Sequence, residues 1–331
     1  MKRSGTVLLC FLLLGGVLSP SAAAQELAVG GQAVGIEIEA AGVLVAGVSH
    51  VQTAEGERSP AEDAGLEAGD FITAVNGTPL RDASALLEAV TASGGAELAL
   101  SVQRGGRELS FRVAPAYSAD GAWMLGMWLR DRVSGVGTLT FYDPVTGVYG
   151  ALGHGISDAD TGASIPLSAG WIREAEIVSV TKGSAGAPGE LNGLTEGTAS
   201  LGSVERNCPS GIYGHLNGGA AGVTRETGEL RVGPAQILCT CEGRETREYA
   251  VEISRIYREG GSEHVLLEVT DPTLLALTGG IVQGMSGSPI LQDGRLAGAV
   301  THVLVSDPTK GYGISIEDML AEEETPAENA A

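Results

Sequence analysis

Apolar and polar positions alternate in short bursts along most of the chain. Val34-Gly35-Ile36-Glu37-Ile38 alternates strictly, and Gly42 to Val48 is a continuous apolar run. Further runs are Ile177 to Val180, Ala235 to Leu238, Tyr249 to Ile256, His264 to Val269 and Leu296 to Val305. Each is short and bounded by Gly, Pro or charged residues, which is the pattern of β-strands. A helical period occurs over Asp82 to Thr91, with Leu86, Leu87 and Val90 on one face. Ser59-Pro60 to Gly65-Leu66 reads as a cap, one helical turn and a stop. Gly69 to Gly77 reads as a strand ending in an Asn-Gly turn, and Glu97 to Gln103 with Glu108 to Val113 as a hairpin around Gly105-Gly106. Ile316 to Ala321 reads as a short closing helix. The pattern predicts a mainly β protein: a small α/β unit followed by a sandwich or barrel.

The termini read differently. Lys2 and Arg3, the apolar run from Thr6 to Leu18 and the small residues Ser19 to Ala24 predict a secretory signal over 1–24, cleaved after Ala24 or kept as an anchor. Residues 25–33 read as a linker and 322–331 as an acidic disordered tail.

At 331 residues the chain has room for two domains. Its net charge of −21 argues against a nucleic-acid partner and against docking on anionic lipid through a basic patch. Export permits disulfides, but only Cys208, Cys239 and Cys241 follow the signal segment. A bridge from Cys208 to either of the others and three free thiols both fit. No metal spacing is present, so neither metal nor cofactor is expected.

Candidate chemistry enters at Gly284-Met285-Ser286-Gly287-Ser288-Pro289. Flanking glycines allow a tight turn that pushes a hydroxyl outward and aims N–H groups at one point, as acyl transfer requires. Serine needs a base, and five histidines follow the signal: His50, His154, His215, His264 and His302. His154 stands out in Gly153-His154-Gly155, at a strand end. His302, inside an alternating strand, reads as structural. For the group that orients the base, Asp143, Asp158, Asp160, Asp271 and Asp307 all stay open, because triads are defined by geometry. Trp123 and Trp128, in the connector between the two units, are expected to bury an interdomain or barrel surface.

Several long segments resemble the SpoIVB peptidase family: Gly137 to Pro144, Gly150 to Ile156, Thr278 to Ser286 and Ala299 to Val303. The segment Ala64-Gly65-Leu66 with Gly69-Asp70 resembles a bacterial PDZ domain. Together these resemblances imply a PDZ domain over 34–116, a connector over 117–134 and a chymotrypsin-like double β-barrel over 135–321. They imply His154 as base, Asp271 as its partner, Ser286 as nucleophile, and the N–H groups of Gly284 and Ser286 as oxyanion hole. Gly35, Ile36, Glu37 and Ile38 would form the PDZ loop that holds a peptide carboxylate, on a module separate from the chemistry. The implied activity is an exported serine endopeptidase that cuts itself and a membrane-bound regulator of an intramembrane protease, during sporulation, between forespore and mother cell. The other reading is a non-catalytic adaptor that binds an envelope protein through its PDZ groove.

Overall fold

The computed structural model describes residues 25–195, 197–218 and 222–323. The expected signal segment and most of the acidic tail lie outside the described residues. The elements that position the site are, in order, β1 (Glu26–Val29), β2 (Ala33–Val48), β3 (Phe71–Val75), α1 (Ala83–Ala92), β4 (Leu98–Arg104), β5 (Arg107–Val113), β6 (Met127–Tyr142), β7 (Val148–Ala151), β8 (Leu167–Glu174) and β9 (Gly211–His215). They continue with β10 (Gly233–Thr240), β11 (Thr246–Glu259), β12 (Ser262–Val269), α2 (Pro272–Thr278), β13 (Pro289–Gln292), β14 (Arg295–Val303), β15 (Lys310–Ser315) and α3 (Ile316–Glu323).

The last six strands close a barrel in the order β10-β11-β12-β15-β14-β13. Its core is packed by alternate inward residues, among them Ile237, Ile253, Val265, Leu267, Ile290 and Val300. The earlier strands form one large sheet running β9-β7-β6-β2-β3-β4-β5. Half of it curls over the closed barrel as a half-barrel, with Ile36, Ile38, Leu139, Tyr149 and Ile172 inside. The other half is the α/β unit, where Leu86 and Val90 of α1 pack on Val43, Ile72, Leu100 and Val102. Asp82 caps α1 by accepting the Ala85 N–H at 2.8 Å. The Asn76-Gly77 and Gly105-Gly106 turns take the positive φ that tight hairpins need.

The two units are not separate modules. β2 and β6 are each 16 residues long and pair with one another from Met127↔Val48 to Thr138↔Ala33. The second edge of β2 is filled by β3 at Val43 and Leu44, and by β8 from Val34 to Ala40. This corrects the expected peptide-binding loop. Gly35, Ile36, Glu37 and Ile38 have strands on both edges, so their backbone cannot receive a peptide. They belong to the half-barrel, where a Cβ on Gly35 would lie 2.3 Å from Thr195 Cγ2.

Other expectations also shift. Residues 26–29 form a strand paired with β6 and with Thr224–Glu226, where a linker was expected. Trp128 is 69% exposed, while Trp123 packs within the α/β unit against Tyr117. Cys208, Cys239 and Cys241 are free thiols, and the buried Cys239 and Cys241 have their sulfurs 3.3 Å apart.

Candidate active site

Ser286 lies in the loop between α2 and β13, and the half-barrel fixes that loop. Thr138 Oγ1 donates to the Gly284 carbonyl at 2.9 Å, Thr140 Oγ1 donates to that of Gly287 at 2.8 Å, and the Thr138 N–H donates to that of Ser286 at 2.9 Å. Met285 is fully buried in the barrel core and anchors the loop from below. The N–H groups of Gln283, Met285, Gly287 and Ser288 all find backbone acceptors. Those of Gly284 and Ser286 have no acceptor among the described residues. Two unengaged N–H groups flanking the serine meet the need of a developing oxyanion.

His154 follows β7. The chain reaches it through Leu152 and Gly153, both at positive φ, 70° and 69°. For leucine that conformation costs about 1–2 kcal/mol, so local strain is tolerated where the imidazole is aimed. Nδ1 of His154 lies 2.8 Å from the Gly155 carbonyl. A carbonyl can only accept, so Nδ1 carries the proton and Nε2 keeps the free lone pair that a general base needs. His154 and Ser286 line one cleft of about 410 Å³ between the barrels. In the state described, Ser286 Oγ donates to the Thr301 carbonyl at 2.6 Å.

No carboxylate touches His154 among the described residues. Asp271 is the N-cap of α2: its Oδ1 accepts the N–H groups of Thr273 at 2.8 Å and Leu274 at 3.1 Å. Its other oxygen takes the Ala250 N–H at 3.4 Å. Asp143 closes a turn at Val145, Asp158 and Asp160 pair with Arg130, and Asp307 pairs with Lys310. The orienting role assigned to Asp271 is filled here by the Gly155 carbonyl. If capping is the role of Asp271, Asp271→Asn should keep most of the peptidase rate, because an amide oxygen also caps. Asp271→Ala should lose about 1 kcal/mol of stability. A triad acid would instead lose on the order of 10⁴-fold in kcat when changed to Asn, so kinetics of the two variants separates the roles.

His302 corrects its expected structural role. It lines the cleft, and its ring lies 4.3 Å from that of His154, tilted by 31°. His302 stays open to solvent, so the cleft walls shield it only in part; with the imidazoles of His154 and His264 opposing a further positive charge, its pKa lies below the ordinary histidine value. Burial also lowers His154 below the ordinary histidine value, and the Gly155 hydrogen bond offsets only part of this. The neutral imidazole is the active form, so a lowered pKa carries activity into mildly acid solution. The acid limb of the kcat/KM profile is therefore expected below about pH 6.5. A limb centred above 7 would contradict the assignment. The unfolded chain binds these protons more readily, so stability is lost as pH falls from about 6.5 through the folded values.

A second feature escaped the sequence reading. Leu86, Leu87 and Val90 of α1 face Met124 to Met127 and Leu129 across an apolar groove. Beside it, among the described residues, β6 pairs with β2 on one edge only over Met127 to Arg130. Leu87 is 60% exposed there. A free strand edge beside an apolar helix can take an extended peptide as an added strand. The signal was Leu125-Gly126-Met127, an apolar-Gly-apolar step beyond the expected end of the domain.

The SpoIVB peptidase S55 family model matches residues 121–320, and a PDZ domain model matches 51–104. The chain belongs to the SpoIVB peptidase S55 family. It is a serine peptidase with a PDZ domain, built on a closed barrel and a half-barrel. Among curated proteins it is 37% identical over 89 residues to LL2128 of Lactococcus lactis subsp. lactis (strain IL1403), named as a zinc metalloprotease. That match covers 27% of this chain and 19% of that protein's length. Among solved structures, the active form of the Rv3671c protease from M. tuberculosis is 12% identical with a TM-score of 0.35, covering 57% of this chain and 72% of that one. Its inactive form is 12% identical with a TM-score of 0.32, covering 56% and 81%. These likenesses are too distant to bear on the chemistry.

Proposed function

We propose that the peptidase is an exported endopeptidase of limited specificity, which cuts itself and a membrane-bound regulator of an intramembrane protease during sporulation. Family membership and the N-terminal apolar segment support this placement, between forespore and mother cell. The observation that carries the chemistry is Ser286 and His154 on one cleft beside two unengaged N–H groups. In this mechanism Ser286 turns from the Thr301 carbonyl toward Nε2 of His154 across the cleft that both line. His154 takes the proton as Oγ attacks the peptide carbonyl, and the N–H groups of Gly284 and Ser286 hold the oxyanion. His154 then protonates the leaving amine, and water hydrolyses the acyl-serine by the same steps in reverse.

The cleft is lined by Val133, Val136, Ile156, Val282, Val303 and Val305, with no Asp, Glu, Lys or Arg among the described residues. That lining favours apolar residues beside the scissile bond. The groove between α1 and β6 would hold an extended segment of the protein substrate or of the chain's own N-terminal region. Incubation of the purified protein with a fluorophosphonate, followed by mass spectrometry, should place the label on Ser286. Two observations favour the adaptor reading: the serine is turned to Thr301, and no carboxylate among the described residues touches His154. Absence of labelling and of any self-cleavage would establish the adaptor instead.

A further inference from the structure

β6 runs past both sites as one 16-residue strand, with register shifts against β2 at Trp128/Leu129 and Arg130/Arg132. Met127 and Leu129 line the apolar groove. Asp131 Oδ2 accepts the Ala83 N–H at 2.8 Å, in the first turn of α1. Val133 to Val136 form a wall of the catalytic cleft, and Thr138 and Thr140 hold the nucleophile loop. Arg130 lies between these stations. Its guanidinium pairs with Asp158 and, at 2.8 Å, with Asp160. Both aspartates sit in the turn just after Gly155, whose carbonyl fixes the tautomer of His154.

Asp158 is buried and accepts the N–H groups of Asp160 and Thr161 and the Thr161 hydroxyl. Burial pushes its carboxyl up, but the hydrogen bonds from Thr161 and Arg130 outweigh that and hold it below the usual carboxylate range. Among the described residues the turn is also held by Asn207, which bonds Ile156 and Ile165, and by Ile156, Ala163 and Ile165 packing on the half-barrel core. Arg130 is therefore the only charged pin that reaches the His154 turn from the strand bordering the groove, among the described residues.

We propose that Arg130 is a positioning residue for His154 and that, beside Asp131, it relays the state of the α1–β6 groove to the catalytic turn. A peptide added along β6 would shift the backbone that carries both side chains. Release of the pin would let the His154 turn drift, and a misplacement of about 1 Å can cost about 100-fold in rate. The inference rests on the serine-peptidase assignment, so its test carries Ser286→Ala as a separate control.

The measurement is kcat and KM of the full chain on a short apolar peptide that fills only the cleft, with the rate of Ser286 labelling by a fluorophosphonate. Arg130→Gln should lower kcat and labelling by about 100-fold with KM little changed. Arg130→Lys should restore part of both. Arg130→Gln also leaves Asp158 as an uncompensated buried charge, which threatens folding. The Arg130→Gln/Asp158→Asn double variant removes that charge, so it should fold stably yet remain slow. Asp131→Ala should lower kcat alone and add nothing in the Arg130→Gln background. Wild-type kcat in Arg130→Gln, recovery of kcat in the charge-free double variant, or additive effects of Asp131→Ala would each overturn the proposal. Activity persisting in Ser286→Ala would instead refute the peptidase assignment itself.

Discussion

Ser286→Ala is expected to lower peptidase turnover by on the order of 10⁴-fold or more while leaving the fold intact. The hydroxyl has a single protein partner, the Thr301 carbonyl, so its removal strands no buried donor. His154→Ala should be about as severe, because base and nucleophile act on the same proton. The double variant should lose little beyond either single change. Residual activity in all three should be similar, set by the oxyanion hole and the cleft. Turnover of the short peptide, beside a circular dichroism melt for each variant, checks this; near-wild-type turnover in Ser286→Ala would remove the serine from the mechanism.

Gly287→Ala should be the most damaging change to stability near the site. Gly287 has φ of +93°, and a Cβ there would lie 2.0 Å from the Thr138 carbonyl oxygen and 2.5 Å from the Leu152 nitrogen. Both obstacles are backbone, one on β6 and one in the step that leads to His154. The loop cannot move without parting the two barrels. The cost should be about 3 kcal/mol or more, from left-handed strain together with the displaced seam. Gly294 offers the matched control: φ is +75° and nothing lies within 4 Å of an added Cβ. Gly294→Ala should cost only about 1 kcal/mol. Equal melting temperatures for the two variants would show that the seam yields freely.

The glycine-bounded Ser286 loop, the place of His154 at a strand end and most strands were legible in the sequence because each is a local pattern. Glycines around Ser286 and His154, Asn76-Gly77, and alternation in the barrel strands all act over a few residues. What was illegible depends on partners far along the chain. Nothing in Val34 to Ile38 reveals that β8, some 130 residues later, fills the edge on which a peptide was expected. The groove was missed for the same reason: its strand lies beyond the unit that supplies its helix. Asp271 did carry a local signal. An Asp-Pro step before Thr273-Leu274-Leu275 reads as a helix start, and the cap is what the structure forms. His302 obeys its alternation, since Thr301 is buried and His302 points away from the barrel core. The alternation fixed the face, but the outside of the barrel at that point is the catalytic cleft.

The two shared strands make the PDZ unit inseparable from the enzyme. Cutting β2 and β6 at the boundary would leave two shortened strands on the catalytic half, still paired with each other and with β8. The unit is carried between two paired strands, so the peptidase could not gain it by end-to-end gene fusion, as a bead-on-string protein can. A truncation from the N-terminal side that reached the unit would also remove β1 and the half-barrel part of β2.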